Sequence, residues 1–106
     1  MITDIDKFLQ ELGNEPLLTK QEEREILERI HNNDEEALDR LVRANMRFIV
    51  SLAAQYQDNG RSLTELIDAG RVGIVTAAKQ YKPTDESPFI SFAAPLIRQS
   101  FATKNT

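Results

Sequence analysis

Cysteine and tryptophan are both absent from this chain, and histidine occurs once. Without cysteine there is no disulfide framework, no thiol nucleophile and no thiolate metal site. The lone His31, set among scattered acids, offers no metal-ligand spacing, and serine has no histidine–acid partner set. No apolar run approaches the roughly 18 residues that a membrane span needs, and no signal-peptide pattern opens the chain. Internal repeats and low-complexity tracts are missing too. These absences lead us to expect a cytoplasmic, non-enzymatic protein that calls for no cofactor and no membrane. Near a helix C-terminus, His31 is expected to be solvated or held by the helix dipole.

What is present is ordinary for a globular protein: 106 residues, 41% apolar and 28% charged, enough for one domain around one modest core. The net charge of −4 argues against a general nucleic-acid coat protein but conceals an asymmetry. Residues 1–39 hold twelve acids against four bases, a net of −8, and residues 40–106 hold nine bases against five acids, a net of +4. Two readings are open and compatible. The acidic segment docks on the basic one, or the basic segment keeps a phosphate-facing surface.

Apolar spacing is helical throughout, with no alternating runs bounded by hairpin turns. Thr3 with Asp6 resembles a capping pair, Ile5, Phe8, Leu9 and Leu12 recur at helical steps, and Gly13 stops that helix. Thr19-Lys20-Gln21-Glu22 is a full capping box that opens an acidic helix to about His31. The next helix starts at Asn33-Asp34-Glu35-Glu36 and its pattern persists to about Gln57, with Asn45 as a kink. Ser62-Leu63-Thr64-Glu65 is a second full capping box, from which Leu66, Ile67, Val72, Ile74, Val75, Ala78 and Tyr81 carry a helix to about Gln80. Lys82 to Pro88 reads as a loop, and a last helical pattern spans Phe92 to Ala102. Within that pattern Pro95 either begins the helix or kinks it. Gly70 and Gly73 lie mid-helix, where each costs about 1 kcal/mol relative to alanine; close approach of a neighbouring helix is the structural reason for both.

Read in order, Ala44-Asn45-Met46-Arg47-Phe48-Ile49-Val50-Ser51, the Gly70-x-x-Gly73 element and Phe89-Ile90-Ser91-Phe92-Ala93 followed by Ile97-Arg98-Gln99 closely resemble region 2 of the housekeeping (sigma-70) family of bacterial RNA polymerase sigma factors. Upstream, Phe8-Leu9-Gln10-Glu11-Leu12-Gly13 and Pro16-Leu17-Leu18-Thr19 resemble that family's region 1.2. The resemblance implies an all-α fold, a compact orthogonal bundle of about five helices. It divides residues 1–106 into a region 1.2-like acidic part (1–39) and a region 2-like part (40–106) of one domain, equivalent to regions 1.2 through 2.3. It further implies transcription initiation, with RNA polymerase core (the β′ clamp coiled coil) as partner and the promoter non-template strand as a second one.

The resemblance assigns the polymerase contact to Glu65, Asp68, Arg71 and Val75, and the DNA contact to Phe92, Arg98 and Gln99. Several working positions differ. Where the family reads Asp-Leu-Ile-Gln-Glu-Gly-Asn-Ile-Gly-Leu, this chain has Asp68 for the glutamine, Ala69 for the glutamate and Arg71 for the asparagine. Where the family has a tryptophan pair that wedges against the opened duplex, this chain has Pro95 and Leu96. A truncated, diverged member with impaired promoter melting is the reading that follows. Phe89, Phe92 and Phe101 also fit an ordinary core. A helical interaction module or sigma competitor without DNA binding is the alternative, and a homodimer covering apolar surface is open as well.

Overall fold

The computed structural model describes residues 6–7, 9–10, 16–57, 61–82 and 88–102. These are all-α: α1 (Lys20–His31), α2 (Glu35–Ala44), α3 (Met46–Gln55), α4 (Leu63–Gln80) and α5 (Phe89–Ala102). No strand occurs among the described residues. Residues 6, 7, 9 and 10 are helical as well. The Thr3–Asp6 pairing and the Gly13 stop lie outside the described residues.

Both capping boxes form as their residue types require. The Thr19 hydroxyl accepts from the Glu22 amide at 3.1 Å while the Glu22 carboxylate accepts from the Thr19 amide at 3.0 Å. Ser62 and Glu65 repeat the exchange at the head of α4. Hydrogen bonding of the Glu22 carboxyl to Thr19, to its amide first and its side chain second, holds that carboxyl below the usual carboxylate range.

The α1–α2 turn takes three residues, Asn32 to Asp34, whereas the sequence pattern starts the second helix at Asn33. Asn33 takes the left-handed conformation (φ 63°), which asparagine tolerates better than most residues. Its amide bonds the Ile30 carbonyl and the Asp34 amide bonds the Arg29 carbonyl, the paired arrangement that closes a helix end. Asp34 then caps α2, accepting from the Ala37 amide at 3.2 Å, and ion-pairs with Arg29 at 2.9 Å. The Arg29 bond, followed by the Ala37 amide, lowers the Asp34 pKa.

Two boundaries differ from expectation. The segment from Asp34 to Gln57 is two helices, because Asn45 turns its side-chain amide onto the Leu41 carbonyl at 2.8 Å and leaves the helical path (φ −108°, ψ 5°). The last helix begins at Phe89 and not at Phe92, since the Pro88 carbonyl accepts from the Ser91 and Phe92 amides. Pro95 therefore sits inside α5 and does not begin it. Its missing N–H forfeits the bond to the Ser91 carbonyl, but both residues are exposed, so water can serve that carbonyl.

The core draws on every one of these helices: Leu27 of α1, Leu41 of α2, Ile49 and Val50 of α3, Leu66, Ile67 and Ile74 of α4, and Phe89 and Ile97 of α5 are almost wholly excluded from solvent. Burying each of these side chains is worth about 1.5–3 kcal/mol. At Gly73 the backbones of α4 and α5 approach closely. A Cβ built on Gly73 would lie 2.9 Å from the Ile97 Cα and 3.2 Å from the Leu96 carbonyl oxygen; one on Gly70 would lie 2.6 Å from the Ile49 Cγ2 and 3.1 Å from the Phe101 ring. Both glycines are thus accounted for by packing. Two long-range bonds tie helix ends together. Arg61 donates to the Phe101 carbonyl in the last turn of α5 at 2.7 Å. His31 Nε2–H donates to the Tyr81 carbonyl at 2.6 Å. His31 is therefore not simply solvated: it joins the ends of α1 and α4.

Gly73→Ala is expected to destabilise more than Gly70→Ala, because the added methyl meets backbone at residue 73 and side chains at residue 70. Overpacking of about 1–3 kcal/mol, set against about 1 kcal/mol of helix propensity gained, predicts a net loss for Gly73→Ala of up to about 2 kcal/mol. Urea denaturation checks this. At Asp34 the depressed pKa means stabilisation that is complete above the ordinary carboxylate pKa and fades as pH falls through the lower folded value. Asp34→Asn keeps a capping oxygen but loses the charge. The stability gap between wild type and this variant at neutral pH should therefore close below about pH 4, read by thermal melts across pH.

Candidate functional site

At 100° per residue, α4 divides cleanly into two faces. Leu63, Leu66, Ile67, Gly70, Gly73, Ile74, Ala77 and Ala78 point inward and are buried. Glu65, Asp68, Val72, Thr76 and Lys79 point outward and are exposed, with Ala69 and Val75 half-buried at the margins. Both glycines that touch neighbouring helices lie on the inward side, so packing leaves the opposite face of α4 open.

The residues expected to touch polymerase fall on this outward half with unequal freedom. Asp68 and Val75 lie on one line of the helix, and Arg71 is exposed at its flank. Glu65 is exposed, but its carboxylate is already engaged with the Ser62 amide and hydroxyl in the capping box. Any partner of Glu65 must share that carboxylate with the cap. Val72 corrects the sequence reading: assigned to the apolar stripe, it is 65% exposed and sits at the centre of the face. Thr76 and Lys79 were missed altogether. The signal was available as the steps 65, 68, 72, 76 and 79, obscured because an aliphatic residue at helical spacing reads as core.

The second surface lies on α5. Phe92 is half-buried, its ring 5.5 Å from that of Tyr81, and Tyr81 meets the buried Phe89 edge-on at 5.4 Å. The Phe92 ring is thus braced by an aromatic neighbour while one side stays accessible. Phe92 and Gln99, seven residues apart, lie on the same side of α5, with the exposed Pro95 between them. Arg98 is exposed about 100° further round, in line with Ser91. The helix brings Phe92 and Gln99 together and turns Arg98 to the adjoining side. Leu96 is half-buried against the core, and Phe101 is buried beside Tyr56, ring centroids 5.2 Å apart.

Elsewhere a cleft between α1 and α2 is lined by Glu22, Glu25, Glu35, Glu36 and Asp39 together with Arg29, Arg40 and Arg43. Arg43 pairs with Asp39 at 3.0 Å and Arg29 with Asp34, so acids of residues 1–39 are partly matched by bases from both parts of the chain. Burial pushes the Glu23 carboxyl up. Among the described residues, no group of three or more histidines and acids is arranged to hold a metal ion, and no helix is long and apolar enough to cross a membrane.

Residues 41–104 match the family model for sigma-70 region 2, and residues 5–36 match that for sigma-70 factor, region 1.2. Over 93 residues, 88% of its length, the chain is 36% identical to the RNA polymerase sigma factor RpoS of Coxiella burnetii, covering 26% of that protein. Over stretches of the same length it is 38% identical to the RNA polymerase sigma factor SigA of a Bacillus species and 34% identical to that of Clostridium acetobutylicum, covering 25% of each. The chain spans about a quarter of the length of these relatives. The region 2 match takes in α3, α4 and α5 entire, with the glycine-packed inner face of α4 and the aromatic head of α5: the chain belongs to the sigma-70 family.

Proposed function

We propose that this protein works in bacterial transcription initiation by binding RNA polymerase core through the outward face of α4, without catalysing a reaction itself. The observation that carries this is a family match centred on a helix whose inner face is committed to packing and whose outer face, Asp68, Val72 and Lys79 with the half-buried Val75 at its margin, is open. The curated relatives are RNA polymerase sigma factors by name. In the family that the sequence resembles, this helix grips the β′ clamp coiled coil, and Asp68, Arg71 and Val75 stand at the matching positions, with Glu65 one turn before them. Ala69 removes a charged acceptor from that surface and Arg71 adds a cation. A charge set against an uncomplementary partner can cost several kcal/mol at an interface, so the affinity is expected to be below that of a housekeeping sigma factor. The protein then acts as a weak competitor or modulator in the cytoplasm.

For promoter DNA the same logic gives a weaker surface. Phe92 offers one accessible ring beside Gln99, with Arg98 round the helix, while Pro95 and Leu96 provide no aromatic wedge. We read the protein as retaining non-template-strand contact at Phe92 and lacking efficient duplex opening. Loss of DNA binding altogether, leaving a protein–protein module, is the second reading, favoured by the half-burial of Phe92 against Tyr81.

Titration of labelled protein with purified core polymerase, with and without a housekeeping sigma factor, tests the first proposal. Binding displaced by the competitor is expected, and Ala69→Glu with Arg71→Asn should tighten it by about tenfold or more, the equivalent of about 1.4 kcal/mol. No binding at micromolar concentration, or none restored by the double change, overturns it. On α5, Pro95→Trp places a ring on the exposed side next to Phe92. Stacking worth about 1–3 kcal/mol per base predicts at least fivefold tighter binding of a single-stranded −10 oligonucleotide, measured by fluorescence anisotropy.

A further inference from the structure

The outward face of α4 is complementary to itself. Val72, 65% exposed, marks its centre. Glu65 and Lys79 lie seven residues to either side, each within about 20° of the Val72 direction. Asp68 and Thr76 lie four residues to either side, and the half-buried Ala69 and Val75 three residues to either side. The acids occupy the N-terminal half of the seam and the lysine the C-terminal half, with small apolar side chains between them.

We infer that this face pairs with a second copy of the same chain, two α4 helices running antiparallel about a two-fold axis at Val72. In that register Glu65 of one copy meets Lys79 of the other, twice over. Asp68 and Thr76 come level across the seam, Ala69 lies beside the partner's Thr76 and Asp68 beside the partner's Val75 on the two flanks, and Val72 meets its own counterpart. An isologous contact demands this correspondence, because every residue i must suit the residue j that the axis sets opposite it. A parallel pairing would set Glu65 against Glu65 and Lys79 against Lys79, like charges that repel. The seam from Glu65 to Lys79 is about 21 Å long. One helix pair of that length falls at the small end of specific interfaces, below about 1,200 Å² in total, so the dimer is weak and forms reversibly with concentration. It also covers Asp68 and Val75; resting on the polymerase reading above, self-association and polymerase binding therefore exclude each other.

Sedimentation velocity of the purified full chain alone, from about 10 μM to about 1 mM, tests the pairing. The wild-type protein should move from monomer toward dimer across this range. Val72→Arg, which sets two cations face to face, should associate at least tenfold more weakly. Glu65→Lys and Lys79→Glu should each weaken association, and an equal mixture of the two should recover it, since each then meets its opposite charge in the other. A concentration-independent monomer, or wild-type association by Val72→Arg, overturns the proposal. A mixture no stronger than its components overturns the register and with it the proposal. Circular dichroism checks each fold; should Glu65→Lys lose its structure with its cap, Lys79→Glu and Val72→Arg decide alone, and persistence of wild-type association in either overturns the pairing. Polymerase takes no part in this experiment, so its result and that of the polymerase titration stand or fall separately.

Discussion

The approach of α5 to α4 at Gly73 sets the geometry of the region 2-like half. With the Ile97 Cα only 2.9 Å from where a Gly73 Cβ would stand, the two helix backbones are nearly in contact, and α5 can settle only with Phe89, Ala93, Ile97 and Phe101 turned inward. That rotation decides which residues of α5 remain outside: Ser91, Pro95, Arg98 and Gln99. Gly70 does the same service for α3, admitting the Ile49 side chain on one side and the Phe101 ring on the other. Two helices, α3 and α5, thus converge on one turn of α4. The cost in helix propensity of two internal glycines, about 1 kcal/mol each, is offset by apolar contacts that no residue with a Cβ would permit.

The same convergence explains how the acidic N-terminal helices are held. Ile26, Leu27 and Ile30 bring α1 into the common core, and His31 joins its end to the end of α4 through the Tyr81 carbonyl. Tyr81 in turn supports Phe89 and Phe92 with its ring. One residue therefore connects the α1 terminus, the α4 terminus and the aromatic head of α5. The ion pairs of Arg29 with Asp34 and Arg43 with Asp39 are exposed and short-range, a class worth about 0–1 kcal/mol. Apolar burial, with charge matching at its edge, holds the α1–α2 pair.

What was legible in the sequence follows from how local its causes are. Thr19 with Glu22 and Ser62 with Glu65 place an oxygen and a carboxylate at fixed spacing from the amides they must satisfy, so the helix starts could be read directly. Asn33 could not be read in this way, because only the fold reveals that asparagine has taken a left-handed position more often given to glycine. Pro88 was read as loop, which it is, but its carbonyl also opens α5, moving the helix start back from Phe92 to Phe89. Pro95 is tolerated mid-helix because the bond it removes lies on the wet side, a fact of burial and not of pattern. The ties of His31 to Tyr81 and Arg61 to Phe101 span 50 and 40 residues, and nothing local announces them. Val72 shows the opposite failure. Its residue type argued for the core, while the true core face of α4 passed through glycine and alanine.

This division of α4 has a consequence for how the molecule can change. The inner face is constrained at every step: Leu66, Ile67, Ile74 and Ala77 are buried and Gly70 and Gly73 have no room for a methyl. The exposed positions of the outer face contribute little to packing, so substitution there carries little stability cost, typically within about 0.5 kcal/mol, whereas the half-buried Ala69 packs against the core. Asp68, Ala69 and Arg71, the residues that depart from the family's polar pattern, lie outside the buried set. Fold and contact surface are therefore set by different residues of one helix. A chain can keep the first intact, and with it the family match over residues 41–104, while the second is rewritten for another affinity or another partner. Glu65 differs from the exposed positions, because its carboxylate serves both the cap and the surface. There, as at the core-packed Ala69, a change of partner would also cost stability.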